Sequence, residues 1–467
     1  MSVKALPADG FAASAQLLII GAGAAGLCAA LSAHETGAEV VVLERDPVPR
    51  GSTALSAGLI PAAGTRFQKT LGIVDSPALF AADLKRKAHH EADPPMVDLI
   101  AREAGPTVEW LADRYGLPFS VVHDFDYPGH SARRMHGLPS RSGADLIDRL
   151  RQAAEEASVP IIVNATATAL YAGADRVVRG AEIMRPDGTR NQIGCKALIL
   201  ACNGYGGSPD LVARYIPDIR GALYFGHADN RGDAVLWGEA LGAKLVAMSG
   251  YQGHGSVAHP HGILITWAAM TEGGFQVNAN GVRFSNESLG YSEQAAVVLA
   301  QPGGIAFDIF DERIAAIARQ FEDFRQAESS GAIIEAATVE NLAQRLNLRS
   351  SALAESFSEV EQAKRTGGTD RFGRSFVGVA PLAAPFKAVK VTGALFHTQG
   401  GLAVDGDARV LSTDGKPLPN LFAAGGAAAG ISGSHASGYL SGNGLLTATV
   451  LGRLAGRSAA RLVTQSQ

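Results

Sequence analysis

Gln16-Leu17-Leu18-Ile19-Ile20-Gly21-Ala22-Gly23-Ala24-Ala25-Gly26 is the stretch on which the fold turns. Leu17 to Ile20 form a continuous apolar run, the pattern of a strand buried on both faces. The run enters a Gly-x-Gly-x-x-Gly turn, after which Leu27 to Thr36 is an Ala/Leu-rich helical segment stopped by Gly37. A second buried strand, Glu39 to Leu43, ends at Glu44. Each part has a physical task in holding a dinucleotide. Gly21 permits the tight turn, Gly23 lets the backbone approach a pyrophosphate, and Gly26 lets helix and strand pack closely. Ala22, Ala24 and Ala25 are expected contacts within the same turn, where the helix N-terminus offers N–H groups and a positive dipole end. Glu44 stands about 20 residues on, where an acid can accept from both ribose hydroxyls.

Length and composition set the frame. At 467 residues the chain predicts two lobes, and 46% hydrophobic with 18% charged residues supports large cores rather than disorder. A formal net charge of -4 and no long basic run point away from nucleic acid and anionic membranes. Cys28, Cys195 and Cys202 each lie in an apolar stretch and form no CxxC pattern, so they read as small buried hydrophobes in a reducing cytoplasm. Met1 to Ser14 lacks the apolar core of a signal peptide and reads as a loose tail. No apolar run reaches the roughly 18 residues that span a bilayer. The resulting expectation is a cytoplasmic protein with no metal, since no His/Asp/Glu cluster has ligand spacing.

The fingerprint alone does not separate FAD from NAD; two further segments favour FAD. Arg50 to Gly58 follows the acid within one short loop, and its Ser52, Thr53, Ser56, Ala57 and Gly58 suit a backbone laid along a ribityl chain. Near the C-terminus, Leu421 to Ala424 reads as a buried strand entering Gly425-Gly426. Ser441-Gly442-Asn443-Gly444-Leu445-Leu446 then leads into a last helix, whose N-terminus would face the flavin pyrimidine.

With these motifs in place, the chain resembles the flavoprotein family of soluble fumarate reductases and 3-ketosteroid dehydrogenases. The resemblance covers nearly everything after about residue 15. It includes Leu198 to Gly207, Asn230-Arg231-Gly232-Asp233, Val277-Asn278 through Glu287, and His397-Thr398-Gln399-Gly400-Gly401. It implies an α/β fold: a Rossmann-like FAD-binding domain in two segments, 15–249 and 395–467, with an α+β cap at 250–394 and the active site at their junction. It adds Arg45, Ala167, Ala201, Asn203, Gly204 and Asp233 to the expected FAD contacts. The helical, charge-rich look of Ala295 to Lys364 predicts surface helices for the cap. The loop near Gly51 to Gly64 has no flavin-linking His, so the FAD is expected to be non-covalent.

Where the chain departs from fumarate reductases, it loses charge. Gln252, His254, Thr266 and His397 fall on substrate-contact positions of that group, but Trp267 stands at its relay Glu and Met270 at its relay Arg. Tyr291 replaces its catalytic Arg, and Tyr439 its second carboxylate-binding Arg. A buried dianion without guanidinium partners costs several kcal/mol per unpaired charge. The pattern resembles the ketosteroid dehydrogenase branch, in which Glu-Ser-x-x-Tyr matches Glu287 to Tyr291.

That resemblance implies a ketone α,β-dehydrogenase. Tyr439 and a backbone N–H of Asn443 or Gly444 would bind the substrate carbonyl, Tyr291 would take the α-proton, and the β-hydrogen would pass as hydride to flavin N5. Tyr127 resembles a tyrosine that assists the base. A phenol has a pKa near 10, so Tyr291 needs a nearby donor or cation, for which His254, His130 and His136 are candidates. Trp267 and Met270 would narrow the pocket towards a small cyclic ketone rather than a steroid. The alternative is a fumarate- or urocanate-type ene-reductase, and a third reading is a flavin-binding electron carrier without turnover. With no second complete fingerprint for NAD(P)H, the expected electron acceptor is a quinone, an electron-transfer protein or O2.

Overall fold

A computed structural model describes residues 2–123 and 126–465, and it divides into two units. The first comprises 1–216, 225–251 and 397–467, and the second 217–224 and 252–396. Its fold is mixed α/β, with one nine-stranded and one seven-stranded sheet.

In the first unit, β1 (Ser2–Lys4) lies at one edge of the larger sheet. β2 (Ala13–Ile20), α1 (Ala24–Glu35) and β3 (Val40–Leu43) form the fingerprint. β4 (Thr166–Ala172), β5 (Val178–Met184) and β6 (Arg190–Leu200) extend the sheet. β2 pairs in parallel with both β3 and β6, and its Leu17, Leu18 and Ile19 are fully buried, as expected for a strand covered on both faces. The N-terminal residues are not a loose tail. Ser2, Val3 and Lys4 pair with Ala169, Leu170 and Tyr171 of β4, and Lys4 Nζ bonds Glu182 at 2.7 Å. Three residues give too short a pattern to read as a strand from sequence.

The second unit is built on β7 (Tyr251–Ala258), β8 (Phe275–Asn278), α2 (Tyr291–Leu299), β9 (Ile305–Asp311) and β10 (Phe386–Thr398). β10 lies between β7 and β9, and β9 is antiparallel to both β8 and β10. Here the sequence expectation of surface helices across Ala295 to Lys364 needs correction. Helices do follow, but Ile305 to Asp311 is an interior strand of the sheet, between β8 and β10. Its Asp308 broke the apolar run, yet that carboxyl is fully buried, bonded to Ser256 Oγ and to Gln276 Nε2.

The chain re-enters the first unit at His397, forms β11 (Pro417–Ala423), parallel to β6, and continues into α3 (Asn443–Gln465). α3 lies directly against α1. A Cβ on Gly452 would come within 2.4 Å of the Ala25 carbonyl oxygen, and one on Gly456 within 2.1 Å of that of Ala29. The last helix is thereby locked onto the helix that opens the fingerprint.

Candidate active site

Local chemistry shapes the fingerprint turn in the first unit. Gly21 has φ +104°, and a Cβ there would meet the Ala201 carbonyl oxygen at 2.5 Å; a Cβ on Gly26 would meet the Gly21 carbonyl oxygen at 1.8 Å. A Cβ on Gly23 would meet only Thr53 Oγ1, at 3.7 Å, so the space above it is open. Gly23 caps α1 without a side-chain hydrogen bond, and the Ala24 N–H donates to Thr53 Oγ1 at 3.1 Å. Ala22 and Ala25 are buried beside it. Glu44, expected to accept from ribose hydroxyls, has a carboxylate that accepts from the N–H of Ala22 at 2.8 Å and of Asp46 at 3.0 Å. The acid therefore braces the turn that it serves.

Several other expected contacts converge on the same region. Ser52 Oγ accepts from Asn203 Nδ2, the His227 N–H and Asn230 Nδ2, at 3.2, 3.1 and 2.9 Å. Arg45 bonds Asp233 at 3.0 Å, and burial pushes the Asp233 carboxyl up despite that partner. Ser56 Oγ donates to the Thr53 carbonyl and accepts from the Gly58 N–H, with Ala57 half-buried between them. Asn203 is left-handed at φ +66°, and its Oδ1 accepts from Gly204. A Cβ on Gly426 would strike that Oδ1 at 2.2 Å, and Gly425 has φ +60°. The Ala201 N–H ends the strand run by donating to the Ile20 carbonyl, while Ala167 is buried in β4, two residues past the Ala165 N–H that donates to the Glu44 backbone carbonyl. Gly442, at φ +86°, turns the chain into α3, with Leu446 buried and Leu445 partly so. A helix start without a side-chain cap, open space over Gly23 and an acid at the end of β3 fit FAD. These are the residues that would hold it.

Next to the α3 N-terminus stand the remaining first-unit candidates. The Gly444 N–H donates to Tyr439 Oη at 3.3 Å, so the two groups expected to bind a carbonyl are adjacent. The His397 ring meets Tyr439 edge-on at 5.4 Å. Burial lowers the His397 pKa to about 4, and its Nε2 is buried without a hydrogen-bond partner among the described residues. Asn443 is fully buried, with Oδ1 likewise unpartnered. Tyr127 is half-buried in a turn that ends at His130, whose Nε2 lies 3.1 Å from the Ser441 carbonyl.

In the second unit, His254 is the centre of an aromatic stack. Tyr291 lies on one ring contact at 4.8 Å and 22°, Phe396 on another at 5.3 Å and 28°, and Trp267 meets the imidazole edge-on at 5.7 Å. The Ser256 N–H donates to His254 Nδ1 at 3.1 Å, which places the imidazole proton on Nε2. Burial lowers the His254 pKa to about 3. The Trp267 indole N–H is buried and unpartnered among the described residues, and Gln252 is half-buried on β7.

Of the donor or cation expected beside Tyr291, the histidine candidates are held in the neutral form, and His254, stacked on Tyr291, remains available as a donor. Burial holds His254 neutral, and it lowers His130 to about 3 and His136 to about 4. His136 is further occupied with Thr65 and the Arg134 carbonyl. The buried arginines of the second unit are also committed elsewhere. Arg283 bonds Glu287 and Asp370, while Arg374 bonds Glu287 and the carbonyls of Gly274 and Met270.

Sequence reasoning missed Phe396, an apolar residue unremarkable beside His397. It also missed Gln399 and Ser432, which join Asn443 to His397. Gln399 carried a signal, as the polar member of a Gly-rich turn two residues past a candidate histidine. Burial raises each of the three thiols to about 12, so Cys28, Cys195 and Cys202 are inert. No helix among the described residues is long and apolar enough to cross a membrane, and they contain no His/Cys/Asp/Glu group able to hold a metal ion.

Residues 16–445 match the FAD binding domain family. A probable fumarate reductase of Shewanella frigidimarina is 30% identical over 97% of this chain and 76% of its own length. The open conformation of a flavocytochrome c3 fumarate reductase superimposes with a TM-score of 0.83 at 30% identity, covering 98% of this chain and 80% of that one. A 3-ketosteroid-Δ4-(5α)-dehydrogenase from Rhodococcus jostii shares the fold, with a TM-score of 0.76 at 24% identity over 98% and 100% of the two chains.

Proposed function

The chain belongs to the FAD binding domain family of flavoprotein oxidoreductases, and on that premise we propose that it introduces a C=C bond α,β to the carbonyl of an uncharged ketone. One observation carries the reading. Tyr291, Phe396 and Trp267 surround a His254 that burial keeps neutral, and the second unit's buried arginines are tied to its own carboxylates. Groups of this kind bind an uncharged substrate; a dicarboxylate set among them would lack the cations that offset its burial.

FAD, when bound, supplies a two-electron acceptor for hydride. The chain's own residues do the rest. Tyr439 Oη donates to the substrate carbonyl oxygen, and the Gly444 N–H, which donates to Tyr439 Oη in the structure, supports that phenol or turns to the same oxygen, so acidifying the neighbouring C–H. Tyr291 Oη takes the α-proton, with Tyr127 assisting. His254, neutral with its proton on Nε2, is an N–H donor that orients a carbonyl without demanding a counter-charge, and His397 is likewise neutral. An external electron acceptor, whether a quinone, an electron-transfer protein or O2, completes the cycle. Our preference for a small cyclic ketone rests on Trp267 and Met270, both buried.

A direct test follows the α-proton. Cyclohexanone incubated with the protein in D2O should exchange its α-hydrogens, as read by NMR, and Tyr291→Phe should abolish the enzyme-dependent part. Exchange that persists in Tyr291→Phe would remove that residue as the base. A second reading, reduction of a conjugated C=C, draws support from the likeness to a probable fumarate reductase at 30% identity. A phenol of ordinary pKa near 10 holds its proton at neutral pH and is set to donate it.

A further inference from the structure

Four uncharged side chains of the first unit form one hydrogen-bonded line. Asn443 Nδ2 lies 3.0 Å from Ser432 Oγ, Ser432 Oγ lies 2.6 Å from Gln399 Oε1, and Gln399 Nε2 lies 3.0 Å from His397 Nδ1. The two ends, Asn443 Oδ1 and His397 Nε2, are buried and unpartnered among the described residues.

The direction of the protons follows from the lengths. O–H···O bonds centre near 2.7–2.8 Å and N–H···O bonds near 2.9–3.0 Å. The 2.6 Å step is therefore an O–H donor on a carbonyl oxygen, and the 3.0 Å steps on either side of it are amide donors. Reversing both amides would put an N–H donor on the shortest step and an O–H donor on a longer one. Ser432 thus gives its proton to Gln399, and the Gln399 amide donates to His397 Nδ1. A nitrogen that accepts this bond carries no proton, so a neutral ring must carry its proton on Nε2. The Thr398 carbonyl, 3.2 Å from Nδ1, would accept from a protonated Nδ1 and so favours the other tautomer; the Gln399 amide, nearer at 3.0 Å and fixed by Ser432, opposes it. Burial, which lowers the His397 pKa to about 4, keeps the ring neutral.

We propose that Gln399 is a positioning residue that locks His397 as a neutral imidazole with its proton on Nε2, presenting a fixed N–H donor beside Gly444. Gly444 is required for that placement, because a Cβ there would lie 2.6 Å from Nε2. Ser432 and Asn443 act through Gln399 by fixing the orientation of its amide. Gly430 gives the amide room, since a Cβ at that position would lie 2.5 Å from Gln399 Oε1. What the donor binds rests on the proposed function: a ketone or enone oxygen accepts from it.

The test reads the tautomer first, without turnover. In FAD-loaded protein carrying 15N-histidine, the His397 resonances, assigned by their loss in His397→Asn, should show a protonated Nε2 and a bare Nδ1 near neutral pH. Gln399→Glu replaces the amide donor with a carboxylate acceptor and should move the proton to Nδ1. Gln399→Met, of similar length but unable to donate, should give a mixture of tautomers. Bound FAD and an unchanged Tm would show that both variants fold. A wild-type ring protonated on Nδ1, or a tautomer that ignores Gln399→Glu, overturns the proposal. Titration with cyclohex-2-en-1-one, followed by flavin absorbance, should then show binding weakened at least about tenfold in Gln399→Glu, the loss of roughly one hydrogen bond. If the tautomer switches while enone binding is unmoved, the lock stands and the ketone reading falls.

Discussion

Tyr291 carries the most specific claim at the scale of single residues. Replacing it by Phe keeps the ring stacked on His254, 4.8 Å away, and removes only the hydroxyl. Turnover of a ketone should fall by about 10²–10⁴-fold, the usual share of a general acid–base group, with bound FAD unchanged. Loss of FAD together with activity would assign Tyr291 a structural role instead. Glu44 gives a second residue-scale prediction. Its carboxylate holds two backbone N–H groups, so Glu44→Gln should weaken FAD binding by about 10–100-fold, matching the 1.5–3 kcal/mol of a charged hydrogen bond. Flavin fluorescence on dilution measures it. Glu44 was legible because its role depends on local spacing from Gly21. The link from Ser432 to Gln399 was not, because it joins residues 33 apart through side chains that no short motif encodes.

At the scale of elements, the contact of α3 with α1 deserves the sharpest experiment. Gly452 and Gly456 let the last helix approach the backbone of the first, beside Ala25 and Ala29. Gly456→Val should destabilise the protein by about 1–3 kcal/mol, as overpacking does, and should lower FAD affinity through the shifted α1 N-terminus. A thermal melt with and without added FAD separates the two effects. The opening β2–α1–β3 motif was readable because its strands are purely apolar and its glycines fall at fixed spacing. β9 was not, because a buried Asp308 interrupts the apolar pattern and its partners lie on β7 and β8. The pairing of β1 with β4 was equally hidden, since three residues carry no period.

For the molecule as a whole, buried titratable groups shape stability against pH. Burial raises the Asp308 pKa from 3.8 to about 7. The folded state therefore holds this proton more tightly than the unfolded chain does. The stability it contributes is full below about pH 4 and is lost as pH rises through about 7, on the order of 4 kcal/mol in all. The buried His254 and His397 have lowered values and act in the opposite sense, gaining stability as pH rises through the unfolded histidine range near 6.5. The informative quantity is thus a difference. Asp308→Asn, relative to wild type, should be more favourable at pH 8 than at pH 5, as measured by chemical denaturation. A difference that does not vary with pH would contradict the buried ionisation.

The central claim is that the protein desaturates an uncharged ketone. Its most direct test is anaerobic mixing of the FAD-loaded protein with 3-ketosteroids, cyclohexanones and succinate while the oxidised-flavin absorbance is followed. The account predicts bleaching by a saturated ketone, recovery of the corresponding enone, and no response to succinate. Bleaching by succinate, or inertness to every ketone while fumarate reoxidises the chemically reduced protein, would contradict it.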